Sequence, residues 1–178
     1  MTEIHLRKLE IEDAPYMLEW MQEPSIACFF RFDAANMTED KCRKFIEDSN
    51  QYTSTKHYAI ADEQEEYLGT ISLKDIDYEK KSAEYAISIR KKAHGTGVAM
   101  EATKEILKIA FSELGLVEVF LNVLTDNIKA NRFYEKAGFE YQYTEDSAVD
   151  IYGEMKSLNW YILRKDDYWE KRDSLKVI

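Results

Sequence analysis

Ala83-Glu84-Tyr85-Ala86-Ile87-Ser88-Ile89-Arg90-Lys91-Lys92-Ala93-His94-Gly95-Thr96-Gly97-Val98-Ala99 decides how the rest of the chain is read. Ala83, Tyr85, Ile87 and Ile89 alternate with Glu84, Ala86 and Ser88, which predicts a strand with one apolar face. Gly95 and Gly97 strip the side chains from a short turn and open its backbone to an anionic ligand. Beyond the turn Val98, Ala102, Ile106, Ile109, Ala110 and Leu114 recur at helical spacing. The free N–H groups of a helix start carry partial positive charge and suit a phosphate. A glycine pair before a helix also serves as a plain tight connection. No Gly-Lys-Ser/Thr closes the turn, and the third glycine of a dinucleotide fingerprint is missing, so neither of those phosphate sites is present.

A second stretch follows at Leu121-Asn122-Val123-Leu124-Thr125-Asp126-Asn127-Ile128-Lys129-Ala130-Asn131-Arg132-Phe133-Tyr134-Glu135-Lys136-Ala137-Gly138-Phe139. The two, in this order, resemble the paired signatures of the GCN5-related N-acetyltransferases (the GNAT superfamily). Within it the chain is most similar to the branch of ribosomal-protein, polyamine and amino-sugar acetyltransferases. His94, Gly97 and Ala99 stand at the three defining positions of the first signature, with Gly95 and Thr96 between them. His94 departs from the Arg or Gln usual there, which changes a side-chain contact but leaves the backbone cradle.

The resemblance implies an α/β (α+β) fold: a mixed, strongly twisted central sheet of about seven strands flanked by about four helices, over residues 2 to 165. It implies acetyl-CoA as co-substrate, with no metal. In the family the strand from Ala83 carries a bulge and splays from the next, parallel strand. Ile87 and Ile89 would then bond the pantetheine arm, with the N–H of Ile87 aimed at the thioester oxygen; such a donor is worth roughly 3 kcal/mol. The diphosphate would rest on Gly95, Thr96, Gly97, Val98 and Ala99 beside His94.

Asn127, Asn131 and Tyr134 share one helical face by spacing. By resemblance Asn127 and Asn131 face the cofactor and Tyr134 is the general acid, since a phenol of pKa about 10 stays protonated beside a thiolate of pKa about 8.5. A tyrosine in a helix is equally at home as a core aromatic. Glu84 is the candidate base, or orients the acceptor, and burial would have to raise its pKa for the first role. His57, His5 and His94 are rivals for that task, though none sits in a motif that needs a base. The first two helices and their loop would form a lid over the acceptor, bringing Trp20, Phe30 and Arg31 near the amine with Phe29 and Phe32.

Composition sets the outer limits. A chain of 178 residues with 45% apolar residues and 2 prolines reads as one domain, 1–178. The net charge of −10 disfavours nucleic acid and suits a cationic acceptor. No apolar run reaches membrane-spanning length, and Met-Thr-Glu-Ile-His is no export leader, so a cytoplasmic protein is expected. Cys28 and Cys42 lack metal spacing and read as free thiols.

Along the chain, residues 2 to 9 read as a strand, and Asp13 and Pro15 as the opening of a helix that Pro24 ends. Ser25 to Met37 reads as loop, and Thr38 as the cap of a second helix. His57 to Ala61, Tyr67 to Leu73 and the strand from Ala83 form a meander, with a turn at Asp75 to Lys81. Val117 to Val123 is a strand parallel to that from Ala83. Ile128 to Ala137 is a helix capped by Gly138, and Phe139 to Thr144 with Leu158 to Leu163 closes the sheet. The tail from Arg164 packs Tyr168 and Trp169 on the body.

The expected reaction is direct acetyl transfer to a small-molecule primary amine: an amino sugar, a sugar nucleotide or a polyamine. A protein N-terminal acetyltransferase and a non-catalytic acyl-CoA sensor are the alternatives. Family members often pair as homodimers, and the sequence leaves the oligomeric state open.

Overall fold

The structure, a computed structural model, describes residues 3–168. The elements run β1 (Ile4–Lys8), α1 (Ala14–Gln22), α2 (Pro24–Ala27), α3 (Glu39–Ser49), β2 (Lys56–Asp62), β3 (Tyr67–Asp77), β4 (Ser82–Ile89), α4 (Val98–Lys108), β5 (Glu118–Leu124), α5 (Ile128–Lys136), β6 (Glu140–Ile151) and β7 (Glu154–Arg164). All seven strands join one sheet in the order β1-β2-β3-β4-β5-β7-β6. Its pairs are antiparallel except β4 with β5, which α4 separates in sequence.

Each face of the sheet has its own core. Tyr85 and Ala83 of β4, Ile71 and Leu73 of β3 and Val119 and Leu121 of β5 pack with Val98, Ala102 and Ile106 of α4, and Tyr134 of α5 joins them from the margin. On the opposite face Met17, Trp20 and Met21 of α1 and Cys42 and Ile46 of α3 pack against Ala59 and Tyr67. The meander, the parallel crossover and the α5 helix thus follow the sequence pattern. Thr38 caps α3 by accepting from the Lys41 N–H at 3.3 Å, and Gly138 takes φ +97° beyond α5.

Several expectations need correction. Asp13 precedes α1 without capping it, because its carboxylate pairs with Arg7 at 2.8 Å and accepts from the Glu10 N–H. The segment from Ser25 is not all loop, since Pro24 opens α2 and a 3₁₀ turn spans Ala34–Asn36. β3 runs on to Asp77, and the irregularity in the β3–β4 pair lies at Asp75 and Ile76 of β3, opposite the start of β4. Register along β4 is unbroken from Lys74↔Glu84 to Gly69↔Ile89, so β4 carries no bulge there against β3. β6 and β7 form a far longer hairpin than the sequence predicts, because Glu145 to Ser147 are polar and exposed, Ala148 and Val149 are half-buried side by side, and the run shows no alternation. Beyond Lys108 the helix loosens into a π-turn over Ile109–Glu113. Tyr168 meets Phe111 at 5.3 Å, whereas Trp169 lies outside the described residues. Among the described residues no helix is long and apolar enough to cross a membrane.

Candidate active site

The site begins where β4 and β5 part. Their parallel pairing covers only Ser82 to Glu84 against Glu118 to Phe120, while β4 stays paired to β3 as far as Ile89 and β5 to β7 as far as Leu124. Successive strand residues turn their N–H and C=O groups to opposite sides. The Arg90 N–H donates to Leu68 O of β3, so Ser88 and Ala86 face β3 as well, and Ile87 and Ile89 present theirs to the gap. The loss of β5 also explains a failure of the alternation: Ala83 and Tyr85 are buried, but Ile87 and Ile89 are half-exposed like Ala86 and Ser88.

At the end of the gap lies the glycine turn. Gly95 and Gly97 adopt φ +76° and +89°, and a Cβ built on either meets no atom within 4 Å. The corner is open rather than filled by side chains. Gly97 precedes the first residue of α4. Among the described residues the N–H groups of Gly95, Gly97 and Ala99 have no protein acceptor, while that of Thr96 reaches Ala93 O at 3.4 Å and that of Val98 reaches Thr96 Oγ1 at 3.5 Å. Such a row of N–H groups can hold a diphosphate. His94 turns back onto the strand, its Nε2 3.2 Å from Ile89 O. Arg90 anchors the turn from below by pairing with Glu19 of α1 and with Glu66.

Tyr134 of α5 sits among Tyr85, Phe133, Phe139 and Tyr161. Its hydroxyl has no partner among the described residues, whereas Tyr85 bonds Thr103 and Tyr161 bonds Asn131 and Glu135. Burial pushes the Tyr134 phenol up to about 12, which keeps it protonated at neutral pH. The two asparagines differ. Asn127 caps α5 by accepting from the Ala130 N–H, which leaves its amide NH₂ available. Asn131 is buried, donates to Leu124 O and Asn127 O, and accepts from Asn159 and Tyr161. Its hydrogen-bonding groups are all engaged inside the protein, so its position is structural rather than cofactor-facing.

The other face of β4 borders a cavity of about 240 Å³ lined by Met17, Trp20, Met21, Phe32, Phe45, His57, Thr70, Ser72, Ala86, Ile87 and Ser88. Among the described residues no lining residue is an acid, a lysine or an arginine. Trp20 belongs to this wall and donates its indole N–H to Tyr67. Phe30 and Arg31 line a smaller neighbouring cavity with Asp33, Asp150 and Tyr152, and Phe32 lines both. Phe30 meets Trp20 edge-on at 5.5 Å and stacks on Phe32 at 4.8 Å. Arg31 bonds Asn122 of β5 and thereby ties the lid to the far side of the gap. Glu84 lies on this face beyond the cavity wall, where its carboxylate accepts from Lys74 Nζ at 3.0 Å. His5 pairs with Glu65 away from the site. Sequence reasoning missed Ser72, Thr70 and Phe45 as cavity residues, since only the folding of α1 and α3 over β2–β4 brings them together. Among the described residues no group of three His, Cys, Asp or Glu side chains is placed to hold a metal ion.

The family model for an acetyltransferase (GNAT) domain matches residues 3–140. The chain belongs to this family. Among curated relatives of this GNAT protein, the spermidine N(1)-acetyltransferase of Vibrio cholerae is 28% identical over 123 residues, 69% of this chain and 65% of that enzyme, slightly under two thirds of its length. The Escherichia coli K12 enzyme of the same name is 28% identical over 146 residues, covering 76% of this chain and 72% of that one. The crystal structure of the Vibrio cholerae enzyme in complex with CoA and spermine superposes with a TM-score of 0.85 at 22% identity, over 93% of this chain and 98% of that chain. The GNAT fold, with its mixed seven-stranded sheet, is thus shared along nearly the whole length of both chains.

Proposed function

We propose that this GNAT protein transfers an acetyl group from acetyl-CoA to a primary amine of a small, polyamine-like acceptor, by direct attack within a ternary complex. The observation that carries the reading is the parting of β4 from β5 beside an open glycine turn, with the apolar cavity on the acceptor side of the same strand. Acetyl-CoA supplies the acetyl group as a thioester. Gly95, Thr96, Gly97, Val98 and Ala99 would hold its diphosphate, with His94 closing the strand end. Ile87 and Ile89 would bond the pantetheine arm, joined by the Asn127 side-chain amide. The N–H of Ile87 steadies the developing oxyanion, and Tyr134 gives the departing sulfur its proton.

Among the described residues no cysteine lines the cavity to compete with the amine. Cys42 is buried beside Met21, and burial raises its thiol pKa, which makes it inert. A cavity without fixed charge disfavours an ammonium and favours the neutral amine that attacks. Trp20 and Phe32 give an aliphatic chain its wall, and Asp33 and Asp150 in the adjoining cavity suit a second, distal cation. The acidic surface, with a pI of about 4.9, draws such cations in. The relatives' spermidine N(1)-acetyltransferase names support the same class. The Vibrio cholerae relative forms a dodecamer, which supports self-association here, a homodimer being the simplest form.

The test is thiol release from acetyl-CoA against spermidine, spermine, amino sugars, sugar nucleotides and peptides with free N-termini. Turnover is expected with the polyamines first. Turnover confined to peptides would replace the acceptor, and tight acetyl-CoA binding without turnover would make the chain a sensor.

A further inference from the structure

We propose that His57, held by Ser72, is the catalytic base that takes the proton of the acceptor amine. This rests on the acetyltransferase reading above and adds to it a group outside both sequence signatures. His57 of β2 and Ser72 of β3 are register partners across the sheet, and Nδ1 lies 2.6 Å from Ser72 Oγ. Both residues line the apolar cavity together with Ile87 and Ser88, at the strand where the thioester is received. Nε2 has no hydrogen-bond partner among the described residues. If Nδ1–H donates to Ser72, Nε2 carries its lone pair, the arrangement a base requires. Phe45 of α3 meets the ring edge-on at 4.8 Å and fixes its plane.

The charges around the ring keep it neutral. Burial comes first and Lys74 of β3 second, together lowering its pKa to about 4. Lys74 is itself paired with Glu84 of β4. α1 and α3 contribute only Met17, Trp20, Met21 and Phe45 to the wall, none of them charged. Glu84 is engaged by Lys74 and absent from the wall. In the balanced step the amine nitrogen forms a bond to the acetyl carbon and its surplus proton passes to His57 Nε2. The C–S bond then breaks, and the sulfur leaves with the electron pair and takes the Tyr134 proton. The proton His57 accepts is that of a nitrogen already bonded to the acetyl carbon, which is far more acidic than a free ammonium; His57 is preferred to Glu84 by its place on the cavity wall and not by basicity.

Four preparations test this: the wild type, His57→Gln, His57→Ala and Ser72→Ala, assayed with acetyl-CoA and spermidine. His57→Gln is expected to lower kcat about 100-fold with the acetyl-CoA affinity and Tm unchanged. Added imidazole should restore part of the His57→Ala rate, which a purely structural histidine would not allow. Ser72→Ala, the loss of a positioning residue, should lower kcat less than His57→Gln and leave KM for acetyl-CoA alone. Independently of turnover, the ¹⁵N resonance of His57 Nε2 should shift when spermidine is added to the protein with CoA. A wild type that turns over while His57→Gln keeps its rate within about threefold overturns this assignment alone, as does an unshifted Nε2 resonance. A wild type that releases no thiol with any amine overturns the acetyltransferase reading itself, and this inference with it.

Discussion

Tyr134 stands edge-on to Tyr85, ring centroids 5.9 Å apart and planes at 87°, yet only Tyr85 commits its hydroxyl to the protein, to Thr103 at 2.7 Å. Two tyrosines in one aromatic cluster therefore differ in purpose. One closes a core hydrogen bond, and the other, in the mechanism proposed, keeps its phenol for the leaving sulfur.

Tyr134→Phe should leave the fold untouched, because it removes no hydrogen bond among the described residues. Tm should stay within about 2 °C of wild type, acetyl-CoA affinity by calorimetry should be unchanged, and kcat should drop about 100-fold. Tyr85→Phe is the contrasting variant. It strands the buried Thr103 hydroxyl, whose own donation to Ala99 O is retained, and is expected to cost about 1 kcal/mol with far less effect on kcat.

The pH dependence of Tyr134 follows from its raised pKa of about 12. A phenol that is harder to ionise when folded contributes stability that is complete below pH 10 and is lost as pH rises from 10 through 12. Tyr134→Phe should therefore melt with a shallower decline across that window in a pH series of thermal scans.

Gly97→Ala separates binding from packing. The added methyl meets no protein atom within 4 Å, so the structural cost is the left-handed backbone alone, about 1 kcal/mol. Acetyl-CoA binding should weaken at least tenfold if the methyl occupies ligand space, as read by the cofactor's stabilisation of Tm. A variant that binds normally would remove the glycine turn from the site.

Gly69→Ala should act through the sheet. Its Cβ would lie 2.4 Å from Ser88 O and 2.8 Å from Ile89 Cα, so β3 or β4 must shift at the paired residues that border the cavity. A loss of about 3 kcal/mol in urea unfolding is expected, with poor turnover of whatever folds.

Asn131→Ala tests a reassignment. It deprives Tyr161 and Asn159 of an acceptor and Leu124 O and Asn127 O of a donor. The expected cost is about 3 kcal/mol in urea unfolding. A stable variant with weakened acetyl-CoA binding would instead return Asn131 to the cofactor.

Local chemistry was legible without coordinates. The β4 strand, the Gly95–Gly97 turn and α4 are contiguous, and their periodicity and backbone demands belong to those residues alone; the same holds for Thr38 capping α3 and Gly138 ending α5. Hydrogen-bond allegiance was not legible. Spacing places Asn127 and Asn131 on one helical face but does not say that β7 would present Asn159 and Tyr161 to the second of them. The Glu145–Asp150 run, with Ala148 and Val149 among polar residues, carries no period, and β7 pairs with it at Glu145, Val149 and Asp150 across a register shift.

What the sequence determined by itself is the α/β order of elements and a glycine turn at the head of α4, since both depend on neighbours in the chain. Only the tertiary structure decided where β4 leaves β5, which phenol is left unpartnered, and that His57, Ser72 and Trp20 share one apolar cavity. Those outcomes depend on which distant side chains the sheet and its two helical layers bring into contact, and no local pattern encodes them.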